Sequence, residues 1–287
     1  MPYLYLILSV FCNASTSIFG TYFKNQTLDK KDASAFYNFL QLSAVFIGWL
    51  IIFILDYSFN VQVLPYSLLF ALFFTICNIS LIHALKNGPA SLTSLFISLS
   101  MIITSVWSCV FWKNPFTVNV GIGLGATILS LFLCLYNGKN EEKFSWKWLI
   151  FAFLAMLGNA GCSIVQRTQQ MQFNYQYGNM MMTFATFFSM LGCLFVFLRS
   201  DKTDSPALLK KTWYLPTVAG VCNVLLNLFV MLLANTALSP SLIYPTIGVG
   251  GLVVVMLFSL IAFKEKLSKL QWLGIVVGAI ATIFLSL

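Results

Sequence analysis

The sequence predicts an all-α polytopic membrane protein whose ten transmembrane helices form two inverted five-helix repeats. Three observations carry that reading. First, 59% of the 287 residues are hydrophobic and only 8% are charged, against roughly 25% charged in a soluble domain. Such a chain cannot coat a water-facing surface. Second, the apolar residues fall into ten runs close to the ~20 residues a helix needs to cross a bilayer. Third, parts of the first half recur in register in the second. Laying "ALKNGPASLTSLF" (84–96) on "NTALSPSLIYPTI" (235–247) puts Pro89 on Pro240, and the same offset puts Lys113 on Lys264 and Gly123 on Gly274. Asn13 and Ser17 fall likewise on Asn159 and Ser163.

The ten runs are 2–23, 35–55, 64–85, 90–112, 117–136, 146–168, 178–198, 213–235, 240–262 and 269–287. They are long and lack strict alternation, which argues for helices and against a barrel. Pro2, Pro65, Pro89, Pro115, Pro216 and Pro240 stand where a run begins, where the missing amide costs least. The opening "MPYLYLILSV" has no basic region and no small-residue cleavage site, so it is expected to be a first span, not a cleaved leader. The stretches 137–145 and 199–212 read as connectors. The first repeat covers 1–138 and the second 146–287. Five spans per repeat is an odd number, so the second copy enters the membrane from the opposite side. Inverted repeats of this kind are a transporter architecture with the substrate site near the midplane.

Charge bears on orientation. All of the 16 Lys and Arg except Lys113 and Arg167 lie in or beside the odd-numbered loops. The positive-inside rule then places those loops in the cytoplasm and both termini outside. The seven cysteines, 12, 77, 109, 134, 162, 193 and 222, all fall in apolar runs without metal-type pairing, and read as free thiols packed as small apolar groups. No cofactor or metal site is expected.

The polar residues inside the spans are the candidate site. In the sixth run Asn159, Ser163, Gln166 and Gln170 share a helical stripe, and in the first Asn13, Ser17, Gly20 and Lys24 form its counterpart. If the two stripes face one another they line a shared cavity; the simpler alternative is hydrogen bonding between helices, worth about 0.6 kcal/mol on average. Gln170 and Lys24, near span ends, are expected at the interface. Asn78, Asn223 and Asn227 are further cavity candidates, as are Ser94 and Ser98 on a stripe with Ser105 and Ser108. Pro245 removes a backbone donor inside the ninth run. With Gly248, Gly250 and Gly251 following, that helix should bend or pack closely, and Tyr244 beside it is a contact or gate candidate. His83, the single histidine, is a proton-relay candidate, and Arg167 a candidate for holding a substrate carboxylate or phosphate that could instead snorkel to the interface. Gly121-x-x-x-Gly125 and Gly274-x-x-x-Gly278 are small-residue seams for close helix packing.

The exclusions are equally informative. No Asp or Glu lies within a run, Asp56 marking the end of the second. A buried carboxylate is the usual device for exchanging cations against protons, so cation antiport of that type is disfavoured. One histidine and no buried acid leave little material for a membrane enzyme, and no G-x-x-x-x-G-K-[ST] motif is present for ATP.

The chain resembles the drug/metabolite transporter superfamily, in particular the ten-helix type with two EamA domains. The resemblance rests on "ALKNGPASLTSLF" and "FWKNPFTVNVGIGLGATILSLFLCLY" (111–136), and on their partners "LSPSLIYPTIGVGG" and "FKEKLSKLQWLGIVVGAIATIFLSL" (263–287). Lys264-Glu265-Lys266-Leu267-Ser268 keeps the family's acidic and hydroxyl residues before the last span, whereas Lys113-Asn114-Pro115-Phe116-Thr117 lacks the acid. The resemblance implies a secondary transporter in a bacterial plasma membrane, an exporter of small metabolites or drugs working by alternating access. It also implies cytoplasmic termini, opposite to the charge pattern. The amide and hydroxyl stripes without acids favour a small polar or zwitterionic solute. A lipid or headgroup flippase on the same fold is the alternative. The expected partners are the bilayer and a small-molecule substrate, not nucleic acid; proton coupling and either a monomer or a homodimer fit the same residues.

Overall fold

The structure is a computed structural model that describes residues 2–27, 33–112, 117–135, 145–200, 210–234, 236, 238, 240–262 and 268–286, with the side chains of Ser105, Cys134, Tyr244 and Pro245 outside that description. The described residues are helical apart from turns and short links. In chain order the helices are α1 (Pro2–Gln26), α2 (Ala33–Leu55), α3 (Leu64–Asn87, preceded by a 3-10 turn at Val61–Val63), α4 (Ala90–Ser98), α5 (Ser100–Phe111), α6 (Val118–Leu135), α7 (Trp146–Gln172), α8 (Gly178–Arg199), α9 (Tyr214–Ala234), α10 (Pro240–Ala262) and α11 (Lys269–Ser286). Among the described residues, seven stretches are long and apolar enough to cross a membrane: Pro2–Gln26, Ala33–Leu55, Val61–Asn87, Leu92–Phe111, Trp146–Gln172, Gly178–Arg199 and Tyr214–Leu233. The remaining runs appear as shorter apolar segments, Val118–Ser130, Thr246–Ala262 and Trp272–Ala281.

Local sequence explains the helix starts. Pro2 and Pro240 open α1 and α10, and Pro65 sits in the first turn of α3, where no amide donor is missed. Ser145 caps α7 by accepting from the Trp148 amide, and Asn60 caps the 3-10 turn by accepting from Gln62. Trp146, Trp213 and Trp272, exposed at the beginnings of α7, α9 and α11, suit an interfacial belt. The outer faces carry exposed large apolar side chains such as Ile54, Leu72, Phe132 and Ile283, the surface a protein presents to lipid and not to water.

α10 is continuous from Pro240 to Ala262; Pro245, in its second turn, leaves out one backbone bond of the ladder without ending the helix. The interruption falls instead in the run 90–112, at Leu99 between α4 and α5. There Ile102 N–H donates to the Leu99 carbonyl, three residues back (3.0 Å), which re-phases the following helix face. α10 does pack closely: a Cβ at Gly250 would press on Val10, and one at Gly251 on Asn13 Nδ2.

Helix pairing sets up the interior. α3 lies along α7, α1 along α9, α2 along α8 and α6 along α11; α1 also meets α10, α4 and α5 meet α7, α2 meets α9, α3 meets α8 and α4 meets α10. Small residues permit the closest approaches. Gly158 of α7 sits on the α3 backbone, where an added Cβ would be 2.8 Å from Cys77 N, and a Cβ added to Gly220 of α9 would be 2.6 Å from Gln41 O of α2. The Gly274/Gly278 seam holds α11 on α6: Ser130 Oγ donates to Gly274 O (2.6 Å) and lies where a Gly278 Cβ would go. A Cβ at Gly125, by contrast, would meet nothing within 4 Å among the described residues. The largest apolar cluster joins α2, α3, α7 and α8 around Trp49, Phe70, Met181 and Val165. The described cysteines are free.

Candidate functional site

A cavity of about 590 Å³ lies where α1, α3, α7 and α9 converge with α4, α5 and α10. Its polar lining comes from several helices. α1 supplies Asn13, Thr16 and Ser17; α3 supplies Asn78; α7 supplies Asn159, Ser163, Gln166 and Arg167; α9 supplies Asn223 and Asn227. The broken run adds Ser94, Ser98, Ser100, Thr104 and Ser108. Phe70, Phe74, Leu226, Ile247 and Val255 provide apolar wall. Arg167 is the one charged side chain among the described lining residues, and no carboxylate is among them.

Two asparagines reach across helix contacts in parallel ways. Asn13 of α1 donates through Nδ2 to Ile247 O of α10 (3.2 Å) and touches Gly251. Asn159 of α7 donates through Nδ2 to Ser100 Oγ (2.8 Å). Each is half-buried, and each amide oxygen remains available to a solute. Two more asparagines turn inward on their own helices: Asn78 Nδ2 donates to Phe74 O (2.8 Å), and Asn227 Nδ2 to Asn223 O (2.9 Å) and Asn223 Oδ1 (3.2 Å). That satisfies part of their capacity while keeping the amide at the wall. Ser98 Oγ donates to Gly248 O (2.9 Å), joining α4 to α10. Buried Gln166 Nε2 and Ser94 Oγ line the cavity with no partner among the described residues. Buried polar groups are ordinarily paired, so these two are open valences.

The cavity occupies one half of the bundle. Its α7 residues run from Asn159 to Met171, toward the α7 C-terminus, together with Trp112 and Thr117. Toward the α7 N-terminus the interior is filled. Trp148 Nε1 donates to Thr93 Oγ1 (3.0 Å), its ring packs edge-on against Phe96 and covers Gly88, and Lys24 Nζ donates to Gly88 O (3.2 Å). Beside the open half, the α7–α8 turn carries positive φ at Asn174 (48°), Tyr175 (63°) and Tyr177 (60°), and Arg167 lies over the Tyr175 ring, 5.5 Å from its centroid.

The sequence candidates sort accordingly. Asn13, Ser17, Asn78, Ser94, Ser98, Asn159, Ser163, Gln166, Asn223, Asn227 and Arg167 come together on one cavity. His83 does not: it stacks on Phe151 (4.9 Å) and faces a second pocket. Arg167 faces the cavity instead of only the interface. Gln170 is buried, not interfacial, because the turn after α7 folds back over it and Tyr175 N–H donates to its carbonyl (2.7 Å). Lys24 is tied to Gly88. Tyr244 and Pro245 side chains, and the segments holding Lys113 and Lys264–Leu267, lie outside the described residues. Ser100 and Thr104 were missed. Ser100 sits off the Ser94–Ser98 stripe and enters only because the break at Leu99 turns α5; its one sequence signal was its register with Gly251.

Residues 1–136 match the profile of the EamA-like transporter family. That match covers just under half of the chain, and it points to a multi-pass membrane transporter and away from an enzyme. No curated protein matches its sequence. A solved structure, described only as a crystal structure of a protein, is similar over 97% of both chains with a TM-score of 0.59 and 12% identity; that likeness concerns the fold.

Proposed function

We propose that this EamA-like protein is a ten-span secondary transporter, built as two inverted repeats, that moves a small polar or zwitterionic metabolite or drug by alternating access, in the export direction. The observation that carries the reading is the central cavity, walled by asparagines from both halves of the chain, with two buried open valences and no carboxylate among its described residues. Amides and hydroxyls both donate and accept, so they suit a neutral or zwitterionic solute; a simple cation would find no counter-charge there.

Helix pairing supports the repeat. Exchanging the halves carries the α3–α7 contact onto α9–α1, carries α7 against α4 and α5 onto α1 against α10, and leaves α2–α8, α6–α11 and α4–α10 in place. The asparagine bonds follow the same exchange, Asn13 with Ile247 and Gly251 answering Asn159 with Ser100. α6 and α11, with 18 residues each, are about 27 Å long, near the ~30 Å hydrocarbon thickness. In this reading the open half admits solute, and the cluster of Lys24, Gly88, Thr93 and Trp148 is the shut half that must part.

The test is a thermal-shift screen of the purified protein against amino acids, nucleobases, polyamines and lipid headgroups, with Asn159→Ala alongside. A ligand that binds only the folded state raises apparent stability by RT ln(1 + [L]/Kd). The expected result is a shift from one class of neutral or zwitterionic solute, reduced in the variant. Shifts from polyamines alone, or from lipid headgroups alone, would overturn the solute class; the latter would favour the flippase.

A further inference from the structure

A second pocket, about 420 Å³, lies apart from the central cavity at the ends of three helices. The start of α2 lines it with Ser34 and Asn38, the last turns of α3 with His83 and Lys86, and the end of α8 with Arg199 and Phe195. Three basic or titratable nitrogen side chains therefore face one space, and no carboxylate is among its described lining residues. Ser34 and Asn38 are 4% and 3% exposed, and Ser34 Oγ and Asn38 Oδ1 have no partner among the described residues. An orphaned amide oxygen at that depth calls for an incoming hydrogen-bond donor.

The ligand must then satisfy two demands at once: negative charge for Arg199, and a donor for Asn38 Oδ1. Inorganic phosphate, which keeps a P–OH donor at neutral pH, can meet both. A phosphodiester with a hydroxyl or ammonium on its headgroup meets both. The surroundings favour a lipid. Phe195 and Val196 on the outer face of α8 are exposed, forming an apolar rim for an acyl chain, and the Arg199 guanidinium lies 4.2 Å over the Phe195 ring, where the water-facing head meets the oily flank. Basic pockets between helices at this level are suited to lipid headgroups. We propose that the pocket between α2, α3 and α8 is a structural binding site for a phospholipid whose headgroup carries a hydrogen-bond donor, such as phosphatidylglycerol or phosphatidylethanolamine. The site is separate from the transport cavity and does not rest on the proposed substrate.

The experiment measures melting temperature of the delipidated, detergent-purified full chain with added phosphatidylglycerol, phosphatidylcholine or inorganic phosphate. It is run on the parent protein, on Arg199→Gln and on Asn159→Ala. Native mass spectrometry counts retained lipid. Phosphatidylglycerol should raise the midpoint by at least ~2 °C and remain bound as one copy. Phosphatidylcholine, with phosphate but no donor, should do neither. Arg199→Gln should abolish the shift, and Asn159→Ala should keep it. Arg199 is exposed, and comparing shifts, not absolute midpoints, separates lost binding from lost stability. An equal shift with phosphatidylcholine, or an undiminished shift in Arg199→Gln, would overturn the site; an equal shift with inorganic phosphate would overturn the lipid in favour of a free anion.

Discussion

Gly158→Ala should be among the costliest single-methyl additions in this protein. Gly158 faces the α3 backbone, and a Cβ there would lie 2.8 Å from Cys77 N and from Phe73 O, against an ordinary contact beginning at 3.4 Å. Backbone atoms cannot turn aside as a flexible side chain can, so α3 and α7 must part by about 0.6 Å (3.4 − 2.8). Overpacking of this kind costs about 1–3 kcal/mol. The same two helices carry Asn78, Asn159 and Gln166, so separation also widens the cavity wall. Gly192→Ala on α8 is the control, because its Cβ would meet Thr75 Cγ2 of the same helix α3 at 3.6 Å, without a clash. That change should be neutral, or stabilising by up to ~1 kcal/mol through helix propensity. The assay is SDS-titration unfolding in mixed micelles followed by tryptophan fluorescence. If Gly158→Ala unfolds no more readily than Gly192→Ala, the close approach of α3 and α7 is wrong.

Other outcomes follow from the same geometry. Asn13→Ala and Asn159→Ala each lose one interhelical hydrogen bond, so stability should fall by only ~0.6 kcal/mol, while a thermal shift from the transported solute should shrink several-fold; a stability loss with unchanged ligand shift would make them helix glue. Trp148→Phe removes the Nε1 bond to Thr93 but keeps a ring against Phe96, and should raise the labelling rate of a cysteine placed at Ser94 by reagents added from the Trp148 side. An unchanged rate would remove Trp148 from the shut half. Ser130→Ala should cost about 0.6 kcal/mol for its bond to Gly274. Ser130→Leu should cost more, about 1–3 kcal/mol, because Ser130 is fully buried against α11; equal midpoints for the two variants would show that α6 and α11 do not meet there.

The candidate site was unusually legible because a membrane span offers few alternatives for a polar residue. Asn13, Asn78, Asn159 and Asn227 stood out against oily neighbours, and helical spacing put them on inward faces. His83 lies apart from them for a related reason: spacing gives a face, but which neighbours that face meets depends on packing, and His83 meets Phe151 and the second pocket. Gln170 looked interfacial because it lies near a helix end, yet the left-handed turn at Asn174 and Tyr175 folds the chain back and buries it. The break at Leu99 has no proline or glycine to announce it, whereas the helix that holds Pro245 runs on unbroken.

Sequence by itself determined that the chain is helical and membrane-embedded, since apolar runs in hydrocarbon must satisfy every backbone amide internally. It also determined which residues were too polar to face lipid. The tertiary structure decided which of those residues share one space. Ser100 joins Asn159, Lys24 closes on Gly88, and Ser34 and Asn38 are left open beside Arg199. Those meetings depend on helix approach distances set by single glycines and on one re-phased turn, and such sub-ångström steric terms leave no periodic signal along the chain.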